Sequence, residues 1–203
     1  MLAGVNGAGK SSIVGAALRF NDADYFNPDE VTRRLRETEP GLSLEDANVR
    51  AWHLGRRLLE RAIEQRKRFV FETTLGGRTI TGLLLKAANV GLPVRVLYIG
   101  LESADLHVRR VRARVRQGGH DIPEERIRQR YTSSRANLIR LLPHMAEVRI
   151  FDNTRQADPV TGDRPEPKPI LHLKAGRLPY LCPLSDVPTW AKPIVQAALE
   201  TVR

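Results

Sequence analysis

Gly4-Val5-Asn6-Gly7-Ala8-Gly9-Lys10-Ser11 is the stretch whose spacing decides the fold. It satisfies G-x-x-x-x-G-K-[ST], the phosphate-binding P-loop. Its glycines let successive backbone N–H groups turn toward one point, and the following helix directs its positive end there. In such a loop Lys10 neutralises the β and γ phosphates of a nucleotide and the Ser11 hydroxyl ligates Mg²⁺. The motif needs a strand before it and a helix after it. Leu2 and Ala3 supply a short apolar strand, and Ile13, Val14, Ala17 and Leu18 supply the apolar face of a helix read from Lys10 to about Arg19.

Downstream, Tyr25 and Phe26 read as a second short strand, followed by a helix from about Asp29 and a longer one from about Leu44 to Arg66. Phe69-Val70-Phe71 reads as a third strand. A helix from about Arg78 to Ala88 is stopped by Gly91-Leu92-Pro93, and Val94 to Ile99 is apolar enough for a strand covered on both faces. Ser103 opens a helix that Gly118-Gly119 ends, the next helix runs from Pro123 to Leu142, and Val148 to Phe151 is a fifth strand. Short strands separated by helices predict an α/β fold: a P-loop NTPase-type three-layer α/β/α sandwich, with a central, mainly parallel sheet of about five strands and an arginine-rich helical lid. Residues 1–155 are read as the core, with the lid at 109–135. Residues 156–203 are read as a proline-rich C-terminal extension packed on it, with a hairpin around Ala175-Gly176 and a last helix from about Pro188.

With 203 residues and 41% apolar content, the chain has enough material for one core of this kind. Its single cysteine, Cys182, excludes an intrachain disulfide or a thiolate metal cluster. No apolar run approaches a membrane span, and Met1 opens almost directly onto the loop, which predicts a soluble cytoplasmic protein with no membrane association. The net charge of +10 is concentrated: ten arginines and three acids lie between Arg109 and Arg140, and the chain carries 27 arginines against six lysines. The forked guanidinium suits a phosphate clamp, so nucleic acid is the less favoured reading of this charge.

Asn27-Pro28-Asp29-Glu30 lies at the edge where strands of an open sheet present ligands. Asp29 there is a candidate base for an acceptor hydroxyl, while Asn or Asp at this place equally reads as a helix cap. Glu72 emerges from a buried strand at the same edge. It would orient a substrate hydroxyl or hold water around Mg²⁺, with an ion pair to Arg78 or a lid arginine as the plainer reading. Gly118-Gly119-His120-Asp121-Ile122-Pro123 reads as a hinge between two arginine-rich arms, able to close over a transferring phosphoryl group and exclude water. Arg110, Arg114 and Arg128 fit a solvated face better than a clamp.

Taken together, Gly4 to Ser12, Tyr25-Phe26-Asn27-Pro28-Asp29, Phe69-Val70-Phe71-Glu72-Thr73-Thr74, the Gly118–Pro123 hinge with Arg126 and Arg130, and Phe151-Asp152-Asn153 resemble the zeta toxin family of P-loop kinases, in its compact chromosomal form. The resemblance covers about residues 1–154. It implies an ATP- and Mg²⁺-dependent kinase that phosphorylates UDP-N-acetylglucosamine on the 3′-hydroxyl of the amino sugar, with an antitoxin protein as a possible partner. By the same resemblance Asp29 is the base, Glu72 positions the acceptor, and Thr73, Thr74 and Arg78 contact the nucleotide-sugar. Arg116, Arg126 and Arg130 grip phosphates beside Lys10. Gly4, Asn6, Gly7, Ala8, Gly9, Ser11 and Ser12 hold ATP, and Asn153 lies near adenine. Two alternatives stand beside this reading: a kinase of another sugar or metabolite, and a basic nucleic-acid-binding NTPase.

Overall fold

The computed structural model describes residues 1–10, 25–119, 121–155 and 166–202. The helix read after Lys10, the Ser11 and Ser12 hydroxyls and His120 of the hinge lie outside them. Seven strands are present among the described residues: β1 (Leu2–Ala3), β2 (Tyr25–Phe26), β3 (Val70–Thr73), β4 (Arg95–Gly100), β5 (Glu147–Asp152), β6 (Lys168–Lys174) and β7 (Arg177–Leu181). They form one sheet in the order β2-β3-β1-β4-β5-β6-β7, parallel through β5 and antiparallel beyond it. Among the described residues six α-helices accompany it: α1 (Pro28–Thr38), α2 (Leu44–Glu64), α3 (Arg78–Asn89), α4 (Ala104–Arg116), α5 (Glu124–Leu141) and α6 (Lys192–Thr201).

The strand order positions the site. From β1 the chain moves to one side, forming β2 and then β3, and crosses to the other side for β4. The carboxyl end of β1, where the glycine loop begins, therefore sits at the point where the winding reverses, which is where open α/β sheets bind ligands. Both faces of the sheet are covered at its centre. Val96 and Tyr98 of β4 join the main apolar cluster with Val148 and Ile150, while Ile99 packs on the opposite side with Leu2 and Ala8.

The sequence reading counts about five strands, and the parallel part of the sheet has five. The proline-rich extension adds two more by pairing β6 with β5. Proline obscures this in the sequence because it donates no ladder hydrogen bond, yet both prolines occupy tolerated places. Pro169 lies opposite Phe151 at a register shift, and Pro179 lies on the edge strand β7. Ala175 and Gly176, with φ of 49° and 71°, form the two-residue turn whose twist matches a hairpin. Trp190, just before α6, is buried with its ring against Gly100, where an added Cβ would stand 2.3 Å from a ring carbon. Among the described residues no helix is long and apolar enough to cross a membrane.

Candidate active site

The glycine loop is held from several sides. Gly4 has φ 143°, and its amide donates to the Thr73 carbonyl of β3 at 3.2 Å. A Cβ at Gly4 would stand 2.3 Å from the Ile99 carbonyl oxygen, so only glycine lets the loop leave β1 this close to β4. Gly7, with φ 82°, lies against the backbone of α4, where a Cβ would come within 2.8 Å of the His107 carbonyl oxygen. His107 Nδ1 is 2.8 Å from the Asn6 carbonyl oxygen. Burial, the largest influence, pushes this imidazole down to about 4, so near neutral pH the ring is uncharged and its Nδ1–H donates to that carbonyl.

Asn6 is a junction. Its side-chain oxygen accepts from an Arg130 guanidinium nitrogen of α5 at 2.8 Å, so the loop touches both α4 and α5 through this one residue. On the other flank Asn153, just past β5, donates from Nδ2 to the Ala8 carbonyl at 2.8 Å. Lys10 turns its ammonium back onto the Gly4 carbonyl at 2.7 Å. Burial pulls the Lys10 pKa down, and the carboxylates of Glu72 and Asp29 oppose that pull, while Arg114 and Arg130 add to it. An arriving polyanion would relieve this desolvated charge.

Beside the loop, a cavity of about 420 Å³ opens at the carboxyl ends of β2 and β3, with the N-terminal half of α5 and one side of α2 among its other walls. Asn6, Lys10, Asp29, Glu72, Thr73, Thr74, Arg126 and Arg130 all line it. Asn27, at the end of β2, caps α1 by accepting the Asp29 amide at 2.9 Å, so the cap is asparagine and the Asp29 carboxylate is left to face the cavity. Glu72 is buried at the end of β3 and accepts a hydrogen bond from the Tyr25 hydroxyl. Arg130 is held below its usual pKa by burial and by neighbouring Arg126, with Asp29 acting the other way.

Other residues fall differently. Arg78 and Arg116 are not among the cavity walls. Arg114, read from sequence as part of a solvated face, lies 3.7 Å from the Asp29 carboxylate. Arg110 is likewise engaged, donating to the Thr154 and Arg155 carbonyls at 3.2 and 3.0 Å. Arg128 does lie on the surface, in ion pairs with Asp105 and Glu124 at 2.6 and 2.7 Å. The periodicity of α4 separates its valine stripe from its arginines, but it carries no information about which arginine meets an acid some 85 positions away in the chain. Sequence reasoning also missed the aromatic wall of the cavity. Trp52 of α2 is 41% exposed, and the Arg56 guanidinium sits 5.7 Å from its ring centroid. An exposed tryptophan beside a buried helical stripe was the available signal.

The glycine loop at the switch point of a mostly parallel sheet defines a P-loop NTPase-type α/β protein. A family model described as an AAA domain matches residues 1–137, and the chain belongs to that family. An uncharacterized protein of Haemophilus influenzae is 33% identical over 132 residues, which is 63% of this chain and 88% of that protein. Among solved structures, one from the AvrRxo1-ORF1:-ORF2 complex with ATP aligns over 97% of this chain at 16% identity, with a TM-score of 0.66. The present chain covers 62% of that one. A structure from the PezAT chromosomal toxin-antitoxin system of the human pathogen Streptococcus pneumoniae aligns over 98% of this chain and 84% of its own length, at 16% identity and a TM-score of 0.59. At such identities the likeness is one of fold.

Proposed function

We propose that the protein is an ATP- and Mg²⁺-dependent kinase that transfers the γ-phosphoryl group to a hydroxyl of a small phosphorylated acceptor, with UDP-N-acetylglucosamine the leading candidate. The observation that carries this reading is the convergence of Lys10, Asp29, Glu72 and Arg130 on one cavity at the rim of the glycine loop. In the reaction, the Asp29 carboxylate takes the proton of the acceptor hydroxyl as its oxygen bonds to the γ-phosphorus, and the bond to the bridging oxygen breaks to release ADP. Lys10, Arg126 and Arg130 supply the positive charge around the transferring group. Gly4 through Gly9 offer backbone N–H groups to the nucleotide phosphates, and Asn153 braces the loop on the side assigned to adenine.

The cation fits an all-oxygen setting. Nucleotide phosphates, the Ser11 hydroxyl and, through water, the Glu72 carboxylate would hold Mg²⁺, which draws charge from the phosphate oxygens when bound. Among the described residues no group of three or more His, Cys, Asp or Glu is placed to hold a metal.

The acceptor is read from the cavity's lining together with the zeta-toxin resemblance: Lys10, Arg126 and Arg130 suit phosphate, and the rings of Phe26, Phe71 and Trp52 suit a planar ring. The fold likeness to the PezAT structure extends the proposal to an antitoxin-type partner and to the cytoplasm, where ATP and nucleotide-sugars are found. The nucleic-acid reading is weakened because Arg112 and Arg128 of the lid are engaged in ion pairs. The test is incubation of the purified protein with ATP, Mg²⁺ and a panel of UDP-sugars and other sugar phosphates, followed by mass spectrometry. A product 80 Da heavier from UDP-N-acetylglucosamine supports the proposal. ATP binding with transfer to a different acceptor alone would move it to the second sugar or metabolite reading, and no transfer to any acceptor would defeat it.

A further inference from the structure

The C-terminal segment lies beyond residues 1–137, where the family match ends, yet its one tryptophan is bonded into the nucleotide side of the site. Trp190 Nε1–H donates to Asp152 Oδ1 at 3.0 Å. The same carboxylate oxygen accepts from the Thr154 hydroxyl at 2.5 Å, and the Thr154 oxygen in turn accepts the Glu102 amide at 3.0 Å. Arg110 of α4 closes the other side by donating to the Thr154 and Arg155 carbonyls. Between these anchors sits Asn153. Its backbone amide is fixed to the Gly100 carbonyl at 3.0 Å, and its side chain reaches the Ala8 carbonyl of the glycine loop at 2.8 Å.

The placement is tightly specified. Trp190 is 3% exposed, its ring fills the space that a side chain at Gly100 would need, and Gly100 is the residue whose carbonyl receives Asn153. A shift of the ring would therefore move both the β4 end and Asp152. The chain of contacts runs from Trp190 through Asp152 and Asn153 to Ala8, and no member of it lines the acceptor cavity.

We infer that Trp190 and Asp152 are positioning residues for the nucleotide: the C-terminal segment sets the shape of the glycine loop, and with it ATP affinity, without taking part in acceptor binding. This inference rests on the reading of the loop as an ATP site. It assigns the extension a role in the domain that its composition does not reveal. Replacing Trp190 by Phe keeps most of the ring and removes only the N–H. Asp152→Ala removes the acceptor, and Asp152→Asn restores an oxygen in its place.

The test is titration calorimetry with ATP and Mg²⁺ on the full chain and on the three variants, alongside KM values for ATP and for whichever acceptor is phosphorylated. Loss of the Trp190–Asp152 hydrogen bond should weaken ATP binding roughly five- to tenfold in Trp190→Phe, and Asp152→Ala, which also removes the acceptor of the Thr154 hydroxyl, should weaken it at least as much. The acceptor KM should stay unchanged, and Asp152→Asn should recover most of the affinity. ATP affinity equal to that of the unsubstituted chain in both Trp190→Phe and Asp152→Ala would overturn the inference while leaving the kinase reading intact. An equal rise in both KM values would also overturn it, because a general loosening of the fold would then explain the effect. If Trp190→Phe does not fold, the Asp152 pair decides alone. Failure of the unsubstituted protein to bind ATP would sink both readings.

Discussion

The glycine loop and the acceptor rim share one cavity but are fixed by different means. In the loop the partners are largely backbone: His107, Asn153 and Lys10 all end on main-chain carbonyls of residues 4–8, and Gly4 and Gly7 lie against the backbone of neighbouring elements. On the rim the partners are side chains, and several of them have room to move. Asp29 and Arg114 are half exposed and 3.7 Å apart, and Trp52 is 41% exposed. A triphosphate presents the same oxygens in every ATP, so its site can be built from backbone geometry. An acceptor must be told apart from its relatives, and that needs side chains that change cheaply. The loop should therefore respond to substitution through shape and stability, and the rim through chemistry and selectivity.

The sharpest test of that contrast is Asp29→Asn, which conserves shape and removes the base. It should leave ATP affinity and melting temperature unchanged while phosphoryl transfer falls by roughly 10²–10⁴-fold. Transfer at the native rate would remove Asp29 from the chemistry. Gly4→Ala probes the other region. It forces a side chain into a φ of 143° and toward the Ile99 carbonyl, and should cost about 3 kcal/mol, seen as a Tm lowered by roughly 6–12 °C. A Tm within a degree or two of the parent would show that the loop is more yielding than described.

Trp52→Ala should raise the acceptor KM about tenfold, with Tm and ATP affinity held, if a planar part of the acceptor lies on that ring. A matching loss of ATP affinity would erase the division between the two regions. The smallest effect lies away from both. Glu147 begins β5, at the end of the sheet opposite the site, and bonds His172 Nε2 at 2.8 Å and Arg149 Nε at 2.9 Å. Burial pushes its pKa up, but those hydrogen bonds pull further and leave it lowered. The group's contribution is thus present above the ordinary carboxylate range and is lost as pH falls through the lowered folded value. Glu147→Gln should flatten that acid limb of the stability curve by less than about 1 kcal/mol, because the arginine partner is exposed and screened, and should leave ATP binding alone. An unchanged acid limb would show that the cluster adds nothing.

Much of the fold was legible because its signals are local. The loop spacing, the apolar strand of residues 94–99 and the glycine stops after α3 and α4 each lie within a dozen residues, and they carry the α/β class. The candidate site was legible where it follows from the motif, as with Lys10, or from the end of a strand, as with Glu72. Local pattern left Asp29 balanced between helix cap and base, with Asn27 the other cap candidate; the geometry resolves the cap as Asn27. Pairings across long stretches of chain were not legible. The approach of Arg114 to Asp29, the Trp190 bond to Asp152 and the joining of β6 to β5 are set by packing between distant segments, and neither charge nor periodicity encodes them. Arg78 and Arg116 show the converse: arginines at plausible spacing that the helices do not carry to the cavity wall.

The hairpin of β6 and β7 also changes what the molecule shows to its neighbours. Without it, β5 would present a bare row of amides and carbonyls beside the nucleotide loop, an invitation for a stray strand to dock. With it, the free border lies two strands away on β7, where Pro179 interrupts the row with a position that has no hydrogen to offer. A chain attempting to stack there meets a gap in mid-strand, so this proline helps keep copies of the protein from zipping together.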